Sequence, residues 1–243
     1  MKRAIITGIR RIGYHIARSL LTKDWSLGLV YKTSEEVFEN LRNEFGQRVV
    51  GIKADLAKWE EAQRSVRELV SILGGLDALL HISSPYEPTP LEDLREEHLD
   101  FHFRPIAQAF MAMSKEAYPY MLKNTGDIKG RIVTFGDWAT NTTPYRNYSA
   151  YFLAKGALHT AVKVLAKELA PHILVNAIAL GPTLKPPDLP EEKWQDYINR
   201  TPLKRPVALE DVVNLTNLLL KVECMTGEII MLDSGRHVAG ECT

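Results

Sequence analysis

Cysteine is scarce: Cys224 and Cys242 are the only two in 243 residues. They form no metal-binding spacing and imply no disulfide framework. An excess of charge is also missing. Thirty Lys and Arg stand against thirty Asp and Glu, with a pI near 7.1, so no global field draws nucleic acid or an anionic membrane. No apolar run reaches the length of a membrane span. The amino end, MKRAIITG, enters a strand directly and lacks the apolar core of a signal peptide, so the expected compartment is the cytoplasm. Internal repeats, low-complexity tracts and domain-length linkers are absent too, which predicts a single domain over 1–243. What is there, 45% hydrophobic and 25% charged residues, describes a globular chain long enough to bury one large core.

The order of elements comes from hydrophobic periodicity. Arg3 to Thr7 reads as a strand, Gly8 as a turn, and Ile12 to Thr22 as an amphipathic helix. Ser26 to Tyr31 is a second strand, and Ser34 to Phe45 a polar helix with Ser34 as N-cap. Val49 to Lys53 and Lys58 to Leu73 repeat the pattern. Such alternation predicts a parallel sheet with helices on both faces. Ala78 to Ile82 is the fourth strand, followed by the broken stretch SSPYEPTPL at 83–91. A long helical region from about Leu91 to Lys123 is expected to kink or break near Pro105. Arg131 to Phe135 and Ile173 to Ala179 are the next strands, on either side of a helix that opens at Tyr151 and stops before Pro171. The proline-rich stretch 181–206 carries a short helical piece around Glu191 to Asn199 and reads as a substrate lid. Leu209 to Val222 is the last helix and Ile229 to Leu232 the last strand.

Tyr151 and Lys155 are four apart, so on a helix they share a face. An ammonium beside a phenol favours the phenolate and brings the hydroxyl closer to proton transfer at neutral pH. Alone, a Y-x-x-x-K spacing more often marks only an exposed amphipathic helix. Here it follows the strand RIVTF at 131–135, with TGIRRIG at 7–13 after the first strand and TGEIIMLDSG at 226–235 near the end. Together these resemble the classical short-chain dehydrogenase/reductases along nearly the whole chain. The resemblance implies a doubly wound Rossmann sheet of about seven strands, NAD or NADP as cofactor, and a homotetramer. It also implies a Tyr-Lys pair, Tyr151 and Lys155, that protonates a carbonyl or imine as hydride arrives, with Lys155 holding the nicotinamide ribose.

At the cofactor end, a strand, a glycine turn and a helix N-terminus form a pyrophosphate cradle. Gly8 and Gly13 keep the outer glycine positions of the family turn, which here is one residue shorter, with Arg11 where the middle glycine falls. A plain strand-to-helix turn is the alternative use of these glycines. After the second strand the chain reads Val30-Tyr31-Lys32-Thr33-Ser34, with no acid before Glu35. Lys32, Arg10 and Arg11 are expected to converge on a 2′-phosphate, which favours NADPH over NADH. Asp55 in KADLA matches the family residue near the adenine, or is an N-cap for the following helix. Ile12, Tyr31, Leu56, Ser83 and Gly181 complete the expected cofactor contacts.

At the reacting end, the place of the family's catalytic serine falls on Asp137. An ionised carboxylate there opposes a phenolate, whereas a protonated one donates. Asp137 resembles the aspartate of the pteridine reductase branch. Arg11, SSPYEPTPL, YFLAKGAL at 151–158 and LDSGRH at 232–237 resemble the same branch, and the dihydromonapterin or dihydrofolate reductases of short-chain type within it. The resemblance implies that Tyr86 stacks on a pterin and that Arg11, Asp137 and Tyr151 also contact substrate. A surface aromatic for Tyr86 and a loop cap for Asp137 are the structural alternatives; Trp138 reads as pocket wall or core. Two departures stand out: His81-Ile82-Ser83-Ser84 replaces Asn-Asn-Ala-Gly, and His102 takes the place of the helix asparagine in the family's proton relay. His102 reads either as a relay or as a structural histidine. His98 and His102 have metal-ligand spacing but no third ligand, so no metal is expected. The expected activity is NADPH-dependent reduction of a C=N or C=O bond in a pterin-type substrate. A carbonyl or 3-oxoacyl thioester reductase and a non-catalytic NADP-binding regulator are the alternatives.

Overall fold

In the computed structural model, which describes residues 1–239, seven parallel strands form one sheet in the order β3-β2-β1-β4-β5-β6-β7. The strands are β1 (Lys2–Thr7), β2 (Trp25–Tyr31), β3 (Val49–Lys53), β4 (Ala78–His81), β5 (Gly130–Asp137), β6 (Ile173–Leu180) and β7 (Ile229–Leu232). Strands covered on both faces read as nearly continuous apolar runs. Successive residues point to opposite faces. Ile5 and Ile132 therefore enter one core layer, and their neighbours Ile6 and Val133 the other. Helices α3 (Trp59–Leu73), α5 (Ala109–Met121) and α6 (Ser149–Leu169) belong to the first face, and α4 (Glu96–Phe103) packs against α6. Helices α1 (Ile12–Leu21), α2 (Glu35–Phe45) and α8 (Leu209–Leu219) belong to the second. Helix α7 (Glu191–Asn199) lies in the proline-rich stretch, over the range the sequence predicts. No helix among the described residues is long and apolar enough to cross a membrane.

The strand order reverses at β1 and β4, and doubly wound sheets open a crevice at the carboxyl ends of such strands. Gly8 makes this junction possible. Its φ is +68°, and a Cβ there would lie 2.7 Å from the backbone of Ile82 and Ser83. Thr7 Oγ1 accepts from the Ile82 and Ser83 N–H groups, both at 3.0 Å, which ties the first turn to the end of β4. The expected break near Pro105 is a π-helical turn, Arg104–Gln108, between α4 and α5. His81 Nε2 donates to the carbonyls of Pro105 and Ile106 at 3.0 and 3.1 Å, and its Nδ1 pairs with Thr7 Oγ1 at 3.2 Å. A buried histidine thus links three elements, and burial lowers its pKa to about 4, keeping it neutral.

Three local expectations are corrected. Ser34 occupies the N-cap position of α2, but its side chain makes no capping hydrogen bond. Asp55 does not cap α3 as N-cap, which falls on Lys58; it turns back on its own loop, where Oδ1 accepts from Ala57 N–H at 3.1 Å. Strand β5 runs on through Gly136 to Asp137, and α6 begins two residues before Tyr151. Cys224 is free and exposed; Cys242 lies outside the described residues.

Candidate active site

Sheet pairing carries Asp137 to the site. It is the last residue of β5, opposite Leu180 of β6. Tyr151 stands in the first turn of α6, where Thr89 Oγ1 accepts from Ala150 N–H at 3.2 Å and fixes the helix entry. The Tyr151 hydroxyl donates to Asp137 Oδ2 at 3.0 Å. The other carboxylate oxygen accepts from Ala139 N–H at 2.8 Å, so the loop cap and the contact with tyrosine are two ends of one side chain. Burial raises the Asp137 pKa above the usual carboxylate range, against the stabilising Ala139 N–H and Lys155 charge. Tyr151 is pushed well above 10, first by burial and then by Asp137. The direction is opposite to the one expected from the i, i+4 pair. The Lys155 ammonium donates to the Phe135 carbonyl at 2.6 Å, lies 5.6 Å from the Tyr151 ring centre, and has its own pKa lowered to about 8 by burial. The phenol is held protonated.

Around this pair lies an aromatic cluster in which the sequence reading named Tyr86 but missed Tyr145 and Tyr148. Tyr145 donates to Asp137 Oδ2 at 3.4 Å, and Tyr86 donates to the Tyr145 hydroxyl at 3.1 Å. Tyr86 stacks on Tyr148, centres 4.6 Å apart, and meets Tyr151 edge-on at 5.0 Å. One face of Tyr86 is thus occupied within the protein, while the residue remains 46% exposed. Tyrosines at 145, 148 and 151 are a visible run, but without α6 in place nothing in it distinguishes function from packing. Trp138 is both wall and core: it is buried, lines the cleft and donates through Nε1 to Tyr197 of α7 at 3.3 Å.

His102 is fully buried, with Nδ1 paired to the His98 carbonyl at 2.9 Å. Its Nε2 accepts from Glu87 N–H at 3.4 Å. Both nitrogens are engaged with backbone, which fits the structural reading and pins the loop after β4. His98 Nδ1 accepts from Arg95 N–H, and no metal-binding group of three exists among the described residues.

A cleft of about 850 Å³ runs from Tyr31, Lys32 and Asp55 to Asp137, Tyr151 and Lys155. Gly8, Arg10, Arg11, Ile12, Leu56, Ser83, Tyr86 and Gly181 also line it. Gly13 is not in the lining. It sits buried behind the turn, where a Cβ would approach the Gly8 carbonyl oxygen to 2.4 Å. Gly181 likewise allows close packing, since its Cβ would fall 2.5 Å from Asp233 Cα. The expected convergence of three basic side chains is only partial. Lys32 Nζ pairs with Asp55 Oδ2 at 2.9 Å, and Arg11 donates to the carbonyls of Leu184 and Lys185, both at 3.0 Å. Opposite charge and carbonyl dipoles draw these two cations across the cleft. The residues present nevertheless fit a dinucleotide: a glycine turn with no room for a Cβ faces a helix N-terminus, and cationic side chains line the far end.

The chain's relatives agree with this geometry. A family model described as enoyl-(acyl carrier protein) reductase matches residues 8–237. The dihydromonapterin reductase of Shigella flexneri is 26% identical, with 96% of this chain and 95% of that protein covered. The NADH enoyl-[acyl-carrier-protein] reductase FabI of Aquifex aeolicus is 28% identical over 98% and 92%. Among solved structures, the FolM alternative dihydrofolate reductase 1 of Brucella suis, in complex with NADP, superposes with a TM-score of 0.91 at 25% identity, covering 99% of this chain and 96% of that one. The chain belongs to the short-chain dehydrogenase/reductase family of NAD(P)-dependent oxidoreductases.

Proposed function

We propose that this enzyme uses NADPH to reduce a C=N bond in a pterin-type heterocycle. The observation that carries the reading is the hydrogen bond from Tyr151 to the buried carboxyl of Asp137, a group that burial keeps protonated to higher pH than an ordinary aspartate. A protonated carboxyl supplies a proton to Tyr151 after the phenol has protonated a heterocycle nitrogen, a task for which a serine is a poor acid. NADPH, when bound, supplies the hydride. Tyr151 holds the proton that the substrate nitrogen receives, Asp137 restores it, and Lys155 bears the positive charge at this end of the cleft. Tyr86, Tyr145 and Trp138 line an aromatic slot suited to a flat ring. The names of the Shigella and Brucella relatives support the same substrate class.

NADPH is preferred because Lys32 follows β2 with no acid before Glu35 and Arg10 lines the same cleft. The segment 181–206 serves as the lid, supported by the bonds from Arg11 to Leu184 and Lys185 and from Trp138 to Tyr197. The reading includes a cytoplasmic homotetramer; exposed Phe101, Phe103, Leu153 and Val164 on α4 and α6 support self-association. An acyl-thioester substrate is the second reading, favoured by the description of the matching family model.

The test is NADPH consumption with a dihydropterin, for wild type and Tyr151→Phe. Turnover by wild type that falls by about 10²-fold or more in the variant, with NADPH binding retained, is the expected result. Folded wild type that binds NADPH but leaves the dihydropterin untouched overturns the pterin reading.

A further inference from the structure

We propose that Tyr145 is a positioning residue that connects the buried carboxyl of Asp137 to solvent through Tyr86, so that protons consumed at Tyr151 are replaced along a chain of phenol hydroxyls. The inference rests on the reductase reading above. Asp137 and Tyr151 are only 8% and 6% exposed, and the surface they keep faces the cleft that cofactor and substrate fill during turnover, so bulk water does not reach them freely then. Tyr86 is 46% exposed. Between them the hydroxyls are connected: Tyr86 donates to Tyr145 at 3.1 Å, Tyr145 to Asp137 Oδ2 at 3.4 Å, and the same oxygen accepts from Tyr151 at 3.0 Å. The remaining contact of the carboxyl is the Ala139 amide, which holds its proton far too tightly to act as a source.

The other polar groups nearby are partly or wholly committed. The ring nitrogens of His102 are engaged with the backbone at His98 and Glu87, and the Lys155 ammonium points a hydrogen at the Phe135 carbonyl. Packing keeps the chain in register: Tyr145 lies edge-on to Phe152 at 4.7 Å and to Tyr148 at 5.2 Å, and Tyr148 is the ring on which Tyr86 stacks.

The proton inventory closes over one turnover. The Tyr151 O–H breaks as the substrate nitrogen is protonated, and it re-forms as the Asp137 O–H breaks. Tyr145 then gives its proton to Asp137 while taking one from Tyr86. A hydronium or buffer acid in solvent protonates the Tyr86 oxygen and leaves as water or buffer base, so one solvent proton is consumed per turnover. Each oxygen ends protonated, as it began, but with a proton handed on from its neighbour. No electrons move along the chain.

Tyr145→Phe tests this, because the ring and its edge contacts stay while the hydroxyl goes. The first turnover draws on protons already stored at Tyr151 and Asp137, so NADPH consumption should show a burst. Steady-state kcat should then fall by about tenfold, with a larger solvent isotope effect on kcat and KM nearly unchanged. Because both hydroxyls serve one chain, adding Tyr86→Phe to Tyr145→Phe should cost no more than the worse single change. A Tyr145→Phe enzyme with wild-type kcat and isotope effect overturns the proposal, as do losses that multiply in the double variant. Failure of the reductase reading shows itself separately, as a wild type without turnover. The chain is then judged by the infrared C=O band of protonated Asp137, assigned by its loss in Asp137→Asn. A shift of that band in Tyr145→Phe supports the chain, and an unmoved band overturns it.

Discussion

Tyr151 donates to Asp137 across 3.0 Å in a place where both side chains are nearly sealed from water. Fourteen positions apart in the sequence, they meet because β5 extends to Asp137 and α6 returns over its end. The Asp137 charge raises the energy of the Tyr151 phenolate, while the hydrogen bond from Tyr151 stabilises the Asp137 carboxylate without outweighing its burial.

Burial makes Asp137 a trade between stability and activity. Its folded pKa is raised, so the folded state holds the proton more tightly than the unfolded chain. Stability from this group is fully present below the unfolded value and is lost as pH rises through the folded one. Asp137→Asn, which stays neutral, should therefore melt higher than wild type at neutral pH, by about 2–4 °C for each kcal/mol regained. Its dihydropterin turnover should fall by about 10²-fold. Calorimetry and a steady-state assay on the same preparation check both signs.

Lys155 carries the opposite signature. Burial lowers its pKa to about 8 from 10.5, so the unfolded chain binds more protons between those values, and stability from this site rises with pH across that window. Urea unfolding of wild type and Lys155→Met from pH 7 to 10 should show the difference moving in favour of wild type above pH 8. A difference that stays flat or moves the other way contradicts the buried, charged ammonium.

Gly13 acts through packing. A Cβ at 2.4 Å from the Gly8 carbonyl oxygen has no rotamer with which to escape. Gly13→Ala should lower stability by about 1–3 kcal/mol and displace the turn that the phosphates would meet. Weaker NADPH binding by isothermal titration, together with a lower urea midpoint, is the expected pair of results.

Lys32 tests cofactor choice. It is held to Asp55 at 2.9 Å and is exposed enough to exchange that partner for a phosphate. Lys32→Ala should weaken NADPH by about tenfold, or ~1.4 kcal/mol, while leaving NADH within about twofold. Equal losses for both would assign Lys32 to the loop at Asp55 and not to the 2′-phosphate.

Several features were legible because they are periodic or local. The apolar runs of the strands, the helix at 191–199 and the interruption at Pro105 follow from side-chain pattern and from the missing proline N–H. Arg11, Gly8, Asp137 and Tyr151 could be singled out because each sits beside a recognisable run. Tyr145 and Tyr197 were illegible. Their partners, Asp137 and Trp138, are brought to them by a loop and by α7, and no spacing in the chain encodes a contact between separate elements. His102 was left between two roles because a ring's function depends on what its nitrogens touch.

The sequence by itself determined the order of strands and helices, the parallel sheet and the glycine turn at its first crossover, since periodicity and backbone freedom are properties of neighbouring residues. Only the tertiary structure decided the state of the reacting groups. Burial reverses the shift that the Tyr151 and Lys155 spacing alone suggests, carbonyls across the cleft claim Arg11, and Asp55 claims Lys32. The physical reason is that desolvation and Coulomb energy depend on distance through space and on exclusion of water, and both arise only when the sheet closes.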